Sequence, residues 1–411
     1  VPFISNAQFW QTYSYSLPIK QYSGKEFKLE ADIRVEAGNI SSPRLYVRVD
    51  TKSGMGFSEN MKSIQIKNTE WKAYTIQGMI DTNAVNLVFG CYCFYSGSSY
   101  FDNFKLSIKN EAGRYETIYE TSFENGATGW QPHNFMDSKL ELGNSKLYTK
   151  TIVPSNSDHK NVLKITGSKE IPSYGADIKA GHYAKVNGIT LYYEIYGSGT
   201  PLVILHGNGG SISSASQQID FFKKKYKVIA IDSRGQGNSI DDTTALNYDI
   251  MASDVNELLN QLHIDSAYVW GHSDGAILAL LLAMDHPDKV KKAIAYAANL
   301  TSDTVAIVPS DYKSMQHKAY STRNPKVKQL YIMMLQHPHI SLSDLHKIKA
   351  EILVMSGDHD VIQLSHTLDI YKNIEKSNLC ILPGATHGGA WEKIALFEQL
   401  AVDFFDKPFK K

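Results

Sequence analysis

Three cysteines in 411 residues, Cys91, Cys93 and Cys380, are too few for a disulfide scaffold. Cys91 and Cys93 lie two apart in an alternating run, so they point to one side of a strand, where a bridge would be strained. Buried thiols are the expectation. Long apolar runs are also missing: the longest, Ala276–Met284, has nine residues, about half of what a membrane-spanning helix needs. An excess of one charge is missing too. Lys+Arg and Asp+Glu are 42 each, so no global field draws the chain to nucleic acid or anionic lipid. No His/Cys/Asp cluster has metal-ligand spacing and no G-x-G-x-x-G follows a strand pattern, so neither an active-site metal nor any cofactor is expected. The chain opens at Val1 with no basic, hydrophobic leader; the expectation is an exported chain (periplasmic, cell-surface or secreted) whose signal has been removed. What is present, 43% hydrophobic and 20% charged residues, suits packed globular domains, and the length allows two or three.

Two unlike patterns divide the chain. Up to about residue 170 the apolar residues alternate: Phe27, Leu29, Ala31, Ile33 and Val35, then Leu45, Val47 and Val49, Ile64 and Ile66, Val85 through Cys93, and Phe104, Leu106 and Ile108. Period-two runs punctuated by Gly, Ser and Asn predict an antiparallel β-sandwich. From about 181 onward the pattern changes. Asn187-Gly188 signals a hairpin, and short apolar strands at 201–207, 227–232, 267–272, 291–298, 351–357 and 378–384 then alternate with helical stretches, 245–262, 276–284 and 390–405 among them. Alternation of this kind predicts a mostly parallel sheet covered on both faces. The predicted domains are thus 1–170 and 181–411, with 171–180 as linker.

The candidate chemistry lies in the second part. Gly271-His272-Ser273-Asp274-Gly275 matches G-x-S-x-G, a match expected by chance on the order of one time in ten in such a chain. Its setting is more specific, because an apolar strand precedes it and a helix follows, as a nucleophile on a sharp turn requires. The plain alternative makes Ser273 an ordinary helix N-cap. A serine hydroxyl needs a base. His387 follows the last predicted strand, and Gly357-Asp358-His359-Asp360 follows the strand before it. Loops after parallel strands collect on one sheet edge. Backbone N–H donors for an oxyanion would come from Asp274 and from Asn208 in His206-Gly207-Asn208-Gly209-Gly210. His206, His272, Asp232 and Arg234 read as structural, and His359 as a solvent-side residue.

These motifs, together with Asp232-Ser233-Arg234-Gly235-Gln236-Gly237-Asn238-Ser239, resemble the α/β-hydrolase fold, particularly its small esterase-, lactonase- and haloperoxidase-like members. The resemblance covers about 181–411. It implies Ser273 as nucleophile, His387 as base and Asp360, three residues after Gly357, as the acid in preference to Asp358. It also implies a small helical cap over about 299–348, with helices near 314–320 and 327–336 and with Met315, Tyr331, Met333 and Met334 either lining a pocket or packing the cap. Members that open epoxides or remove halogen use aspartate at the elbow, whereas this chain has Ser273. Many relatives carry a second glycine where Ala276 stands. The implied activity is carboxylic ester hydrolysis on a small-molecule or glycan ester. Peptide-bond or carbon–carbon bond hydrolysis on the same triad, and a non-catalytic adhesion protein, stay open, as does the oligomeric state.

Residues 1–170 resemble jelly-roll, carbohydrate-binding-like modules through Trp71-Lys72-Ala73-Tyr74, Ser99-Tyr100-Phe101-Asp102-Asn103-Phe104, Ser122-Phe123-Glu124-Asn125-Gly126 and Gly129-Trp130. In such modules the Phe-Glu-Asn-Gly element opens the domain; here it follows the closing strand. The expectation is a permuted order in which 115–168 supplies the opening strands, against a complete sandwich followed by a partial second module. Similar modules hold a structural calcium ion, for which the resemblance offers Asp102 and Glu124. Trp10, Tyr13, Tyr15, Trp71, Tyr92, Tyr95 and Trp130 are the aromatics available for sugar.

Overall fold

The computed structural model describes residues 10–409 apart from 39, 53, 62, 63, 65, 132–146, 156, 157, 240–245 and 323. Two compact units divide it, residues 1–173 and 174–411. The first is a sandwich of antiparallel strands β1 (Trp10–Pro18), β2 (Glu26–Val35), β3 (Ser42–Thr51), β4 (Gly54–Glu59), β5 (Lys72–Met79), β6 (Ala84–Phe94), β7 (Gly97–Lys109), β8 (Tyr115–Thr121), β9 (Tyr148–Pro154) and β10 (Asn161–Gly167). One sheet runs β1-β6-β3-β4; the other runs β5-β2-β7-β10-β9, with β8 also on β7. β7 therefore carries β2 along one edge and shares its second edge between β8 (at 104–109) and β10 (at 97–101).

Alternation fills the space between the sheets. Phe27, Leu29, Ile33, Leu45, Val47, Phe89 and Phe101 meet there with Phe123, Trp130, Tyr148 and Ile165 from the 115–168 segment, so that segment packs into the same core. Its central part, 132–146, lies outside the described residues. Cys91 and Cys93 are free thiols in this core, and burial pushes the Cys93 thiol up to about 12. The Ile64/Ile66 pair is no strand. Met61 sits at φ 51° and its carbonyl accepts the Ile64 N–H at 2.9 Å, while Ile64 is exposed and Ile66 buried.

The second unit is built on strands β11 (Gly181–Val186), β12 (Ile189–Tyr196), β13 (Pro201–Leu205), β14 (Lys227–Ile231), β15 (Ala267–His272), β16 (Val290–Tyr296), β17 (Glu351–Gly357) and β18 (Ser377–Leu382). They form one sheet, β11-β12-β14-β13-β15-β16-β17-β18, parallel from β14 onward. The helices are α1 (Ser216–Phe222), α2 (Tyr248–Gln261), α3 (Asp274–Asp285), α4 (Pro309–Ser321), α5 (Pro325–Gln336), α6 (Leu364–Lys372), α7 (Gly389–Glu392) and α8 (Ile394–Asp406). The single helix expected at 390–405 breaks at Lys393 (φ −119°, ψ 40°) into α7 and α8. Two apolar clusters cover the two sheet faces, as a parallel sheet demands.

The stretch between the units is tied down on both sides. Ile171 is buried in the sandwich core, whereas Tyr174 is buried in the second unit. There the carboxylate of Glu194 accepts the Gly175 and Asp177 N–H groups at 2.7 and 3.0 Å.

Candidate active site

Register places the site. Leu205 lies opposite Gly271, Gly271 opposite Ala295, Ala295 opposite Val354, and Gly357 opposite Leu382. The strands are parallel, so the loops carrying Asn208, Ser273, Asp360 and His387 all leave the same sheet edge.

Ser273 joins β15 to α3 at φ 54°, ψ −118°, a conformation that costs an L-residue on the order of 1–3 kcal/mol and persists only when its surroundings impose it. The surroundings are two glycines. A Cβ on Gly271 would sit 2.0 Å from the Gly275 carbonyl oxygen, and one on Gly275 would sit 2.1 Å from the Leu205 carbonyl oxygen. Ala276 is fully buried in this packing and needs no glycine. As an N-cap, Ser273 makes no side-chain capping bond, unlike Asn247 at α2 and Asn324 at α5, whose side chains accept helix N–H groups. The serine backbone is instead held by its N–H donating to the Tyr296 carbonyl at 2.9 Å.

His387 Nδ1 lies 2.7 Å from Asp360 Oδ1. Asp360 is buried, and its carboxylate accepts from Ile362 N–H, Ser356 Oγ and Gly357 N–H at 3.1, 3.2 and 3.4 Å. Burial would raise its pKa, but the bond and charge of His387 and the two backbone donors outweigh it, and the net shift is downward. The carboxylate is thus held ionised against Nδ1, which leaves Nε2 as the proton acceptor. Asp358 does something else: its Oδ1 accepts the Ala385 N–H at 3.1 Å, while His359 is exposed beside it.

The other histidines order backbone. Ser233 N–H donates to His206 Nε2 at 3.0 Å, so Nδ1 carries the hydrogen and donates to the Gly207 carbonyl at 2.8 Å. His272 Nε2 lies 2.8 Å from the His387 carbonyl, and burial holds its pKa down at about 3, so it stays neutral. Asp232 accepts Ile212 N–H and Asn238 N–H, both at 2.7 Å. Arg234 makes a buried two-pronged pair with Asp254, 2.7 Å on each prong.

Asn208 and Asp274 are brought together: Asn208 Nδ2 donates to Asp274 Oδ2 at 3.0 Å. A Cβ on Gly207 would lie 3.2 Å from Ser273 Cβ, so this loop borders the serine directly. Burial pushes the Asp274 carboxyl up to about 6, against the hydrogen bonds from Asn208 and Tyr248. Three contributors were not apparent from the motifs. Gln236 Oε1 accepts the Gly209 N–H at 2.5 Å and fixes the loop; Tyr248 donates to Asp274; and Leu330 of α5 offers its carbonyl to Asn208 Nδ2 at 3.4 Å, which sets the cap helix over the loop. Met333 packs into the body core instead of lining a pocket.

A serine on a strained elbow and a histidine–carboxylate pair thus share one edge of a parallel sheet behind a loop of glycines. Residues 200–348 match the family model described as alpha/beta hydrolase fold. The C-terminal unit is an alpha/beta hydrolase fold. Soluble epoxide hydrolase of Corynebacterium sp. (strain C12) is 38% identical over 111 residues, 27% of this chain and 39% of that protein; the chain thus spans about two fifths of that relative's length. Serine hydrolase BPHL of Homo sapiens is 25% identical over 258 residues, 56% of this chain and 88% of its own. The 2-hydroxy-6-oxo-6-phenylhexa-2,4-dienoate hydrolase of Comamonas testosteroni is 26% identical over 261 residues, 52% of this chain and 90% of its own. All three relatives of this unit are named as hydrolases.

The two carboxylates considered for calcium engage different partners. Asp102 Oδ2 lies 2.6 Å from His159 Nδ1, and Glu124 accepts from the Asn161 backbone and side chain at 3.0 and 3.1 Å. Among the described residues no group of three or more His, Cys, Asp or Glu is placed to hold a metal ion.

Proposed function

We propose that the alpha/beta-hydrolase unit is a serine hydrolase that cleaves a carboxylic ester through an acyl-enzyme. The observation that carries this reading is the 2.7 Å His387–Asp360 pair on the same sheet edge as the positive-φ serine. Ser273 Oγ attacks the carbonyl carbon as His387 Nε2 takes its proton, while Asp360 holds Nδ1–H and stabilises the imidazolium. The backbone N–H groups of Asn208 and Asp274 receive the developing oxyanion. His387 then protonates the departing alcohol, and water, deprotonated by the same imidazole, releases the acid. Ser273 stands at the position where an epoxide-opening relative would need a carboxylate, which favours acyl chemistry over that of the Corynebacterium protein.

A fluorophosphonate probe tests the reading. The full chain should be labelled once, and Ser273→Ala, still folded by circular dichroism, should not be. Labelling that survives Ser273→Ala, or none in the parent, would refute it. Carbon–carbon bond hydrolysis is the second reading, favoured by the match along 90% of the Comamonas enzyme. A panel of acyl esters, aminoacyl amides and vinylogous diketones separates the two by kcat/KM. Acylated glycans met after export are the proposed setting, and fractionation of the producing cells checks the export.

A further inference from the structure

The outer face of the larger sandwich sheet carries two cations set against aromatic rings. Arg34 on β2 lies opposite Tyr100 on β7, and Tyr100 lies opposite Lys164 on β10. This cross-strand row faces away from the core, since the residues that alternate with it, Ile33, Phe101 and Leu163, are the ones buried inside. The Arg34 guanidinium sits 3.8 Å from the Tyr100 ring centroid and 5.1 Å from that of Trp71, and Lys164 Nζ sits 5.3 Å from the same tyrosine. Ring faces attract cations without neutralising them and leave the N–H donors unused.

Among the described residues neither cation has an ion-pair partner. The acids nearest in register are engaged elsewhere: Asp102 by His159 at 2.6 Å, and Asp32 by the Asn103 side chain at 2.8 Å. Both cations border an open cavity of about 550 Å³ whose other polar lining is Thr69, Glu70 and Ser155. That volume falls within the range of small-molecule sites.

We propose that this cavity binds an anionic saccharide, with its carboxylate or sulfate held between Arg34 and Lys164. The guanidinium fork and the ammonium are complementary to an oxyanion. The exposed Thr69 and Glu70 and the half-buried Ser155 offer hydrogen-bond partners to hydroxyl groups, which a polyhydroxylated acid uses and a fatty or aromatic acid leaves to water. His159 stacks on Trp71 at 4.1 Å, so the rings here serve to hold cations, and charge carries the recognition instead of a free aromatic platform. The site lies wholly within the N-terminal unit and does not depend on the hydrolase reading.

Calorimetric titration of the full chain with a trigalacturonate, a sulfated galactose trimer and neutral galactotriose tests this. Ser273→Ala is used throughout so that no probe is turned over. At least one acidic trimer should bind ten times or more tighter than the neutral one, and its affinity should fall with added salt. The better acidic probe identifies the anion. Arg34→Gln and Lys164→Gln should each weaken it fivefold or more, with Arg34→Lys intermediate and thermal unfolding of all variants unchanged. Equal affinity for neutral and acidic trimers, no binding by any of the three, or unaltered binding in the Arg34→Gln/Lys164→Gln double variant overturns the proposal.

Discussion

Replacing Asp274 by asparagine should stabilise this protein at neutral pH, and the gain should vanish toward acid. Burial raises the folded-state pKa of this carboxyl from 3.8 to about 6. Below the unfolded value both states are protonated, and the group contributes nothing to the pH dependence. Between the two values the folded state holds a proton that the unfolded state has released, so stability falls as pH rises through that window and levels off above it. The full difference corresponds to about 3 kcal/mol at about pH 8 and about 1 kcal/mol at about pH 4.5. Asparagine mimics the protonated acid. Its two polar atoms can still meet Asn208, whose amide can turn, and Tyr248, whose hydroxyl can rotate. Imperfect pairing takes back part of the gain, so the expected advantage is about 1–3 kcal/mol at the higher pH. For a unit of this size that raises Tm by about 2–4 °C per kcal/mol. Urea unfolding followed by circular dichroism at the two pH values measures it. An advantage of equal size at both, or a destabilised variant at the higher pH, would show that ionisation of the buried carboxyl is not the controlling term.

Asp360→Asn should lower kcat on an activated ester by roughly 10³–10⁴-fold, while Asp358→Asn, whose side chain accepts from the Gly384 and Ala385 backbone N–H groups and not from His387, should stay within about threefold; comparable losses would mean that the acid has been misassigned. Asp254→Asn strands a buried guanidinium and should cost about 3–5 kcal/mol in chemical denaturation, much of it recovered when Arg234→Met is added. A double variant no more stable than the single one would contradict this. Gly275→Ala drives a Cβ to 2.1 Å from the Leu205 carbonyl oxygen, whereas at Gly388 the same change meets only the flexible Glu392 at 3.2 Å. Soluble yield should collapse for the first and hold for the second.

Much of the fold was legible because burial imposes a period. The alternation in β2, β3, β6 and β7 is the imprint of a two-sheet core, and the apolar runs of β13–β18 that of a sheet covered on both faces. Ile64 and Ile66 show where periodicity fails: two alternating residues look the same inside a strand and outside one, and here neither lies in a strand. The positions of Ser273, Asp360 and His387 on the loops after β15, β17 and β18 followed from strand order, since parallel register needs no side-chain detail. The supports were different. Gln236 against Gly209 N–H, and Leu330 against Asn208, join elements far apart in sequence by single hydrogen bonds, and single bonds leave no pattern. The sharing of β7 between β8 and β10 was equally silent, because edge partners depend on strand length and loop reach more than on composition.

Helix α3 carries one last implication. From Asp274 to Met284 all its residues are buried, so it has no polar face to show water and finds partners only between sheet and neighbouring helix. β13, which must lie beside its first turn, is synthesised well before it, and β16 only after it. Until both are in place the segment behind the serine exposes apolar surface that favours self-association. Heating should therefore displace Ser273 and remove colloidal stability together, and additives that suppress aggregation should extend the lifetime of the proposed activity without touching the site.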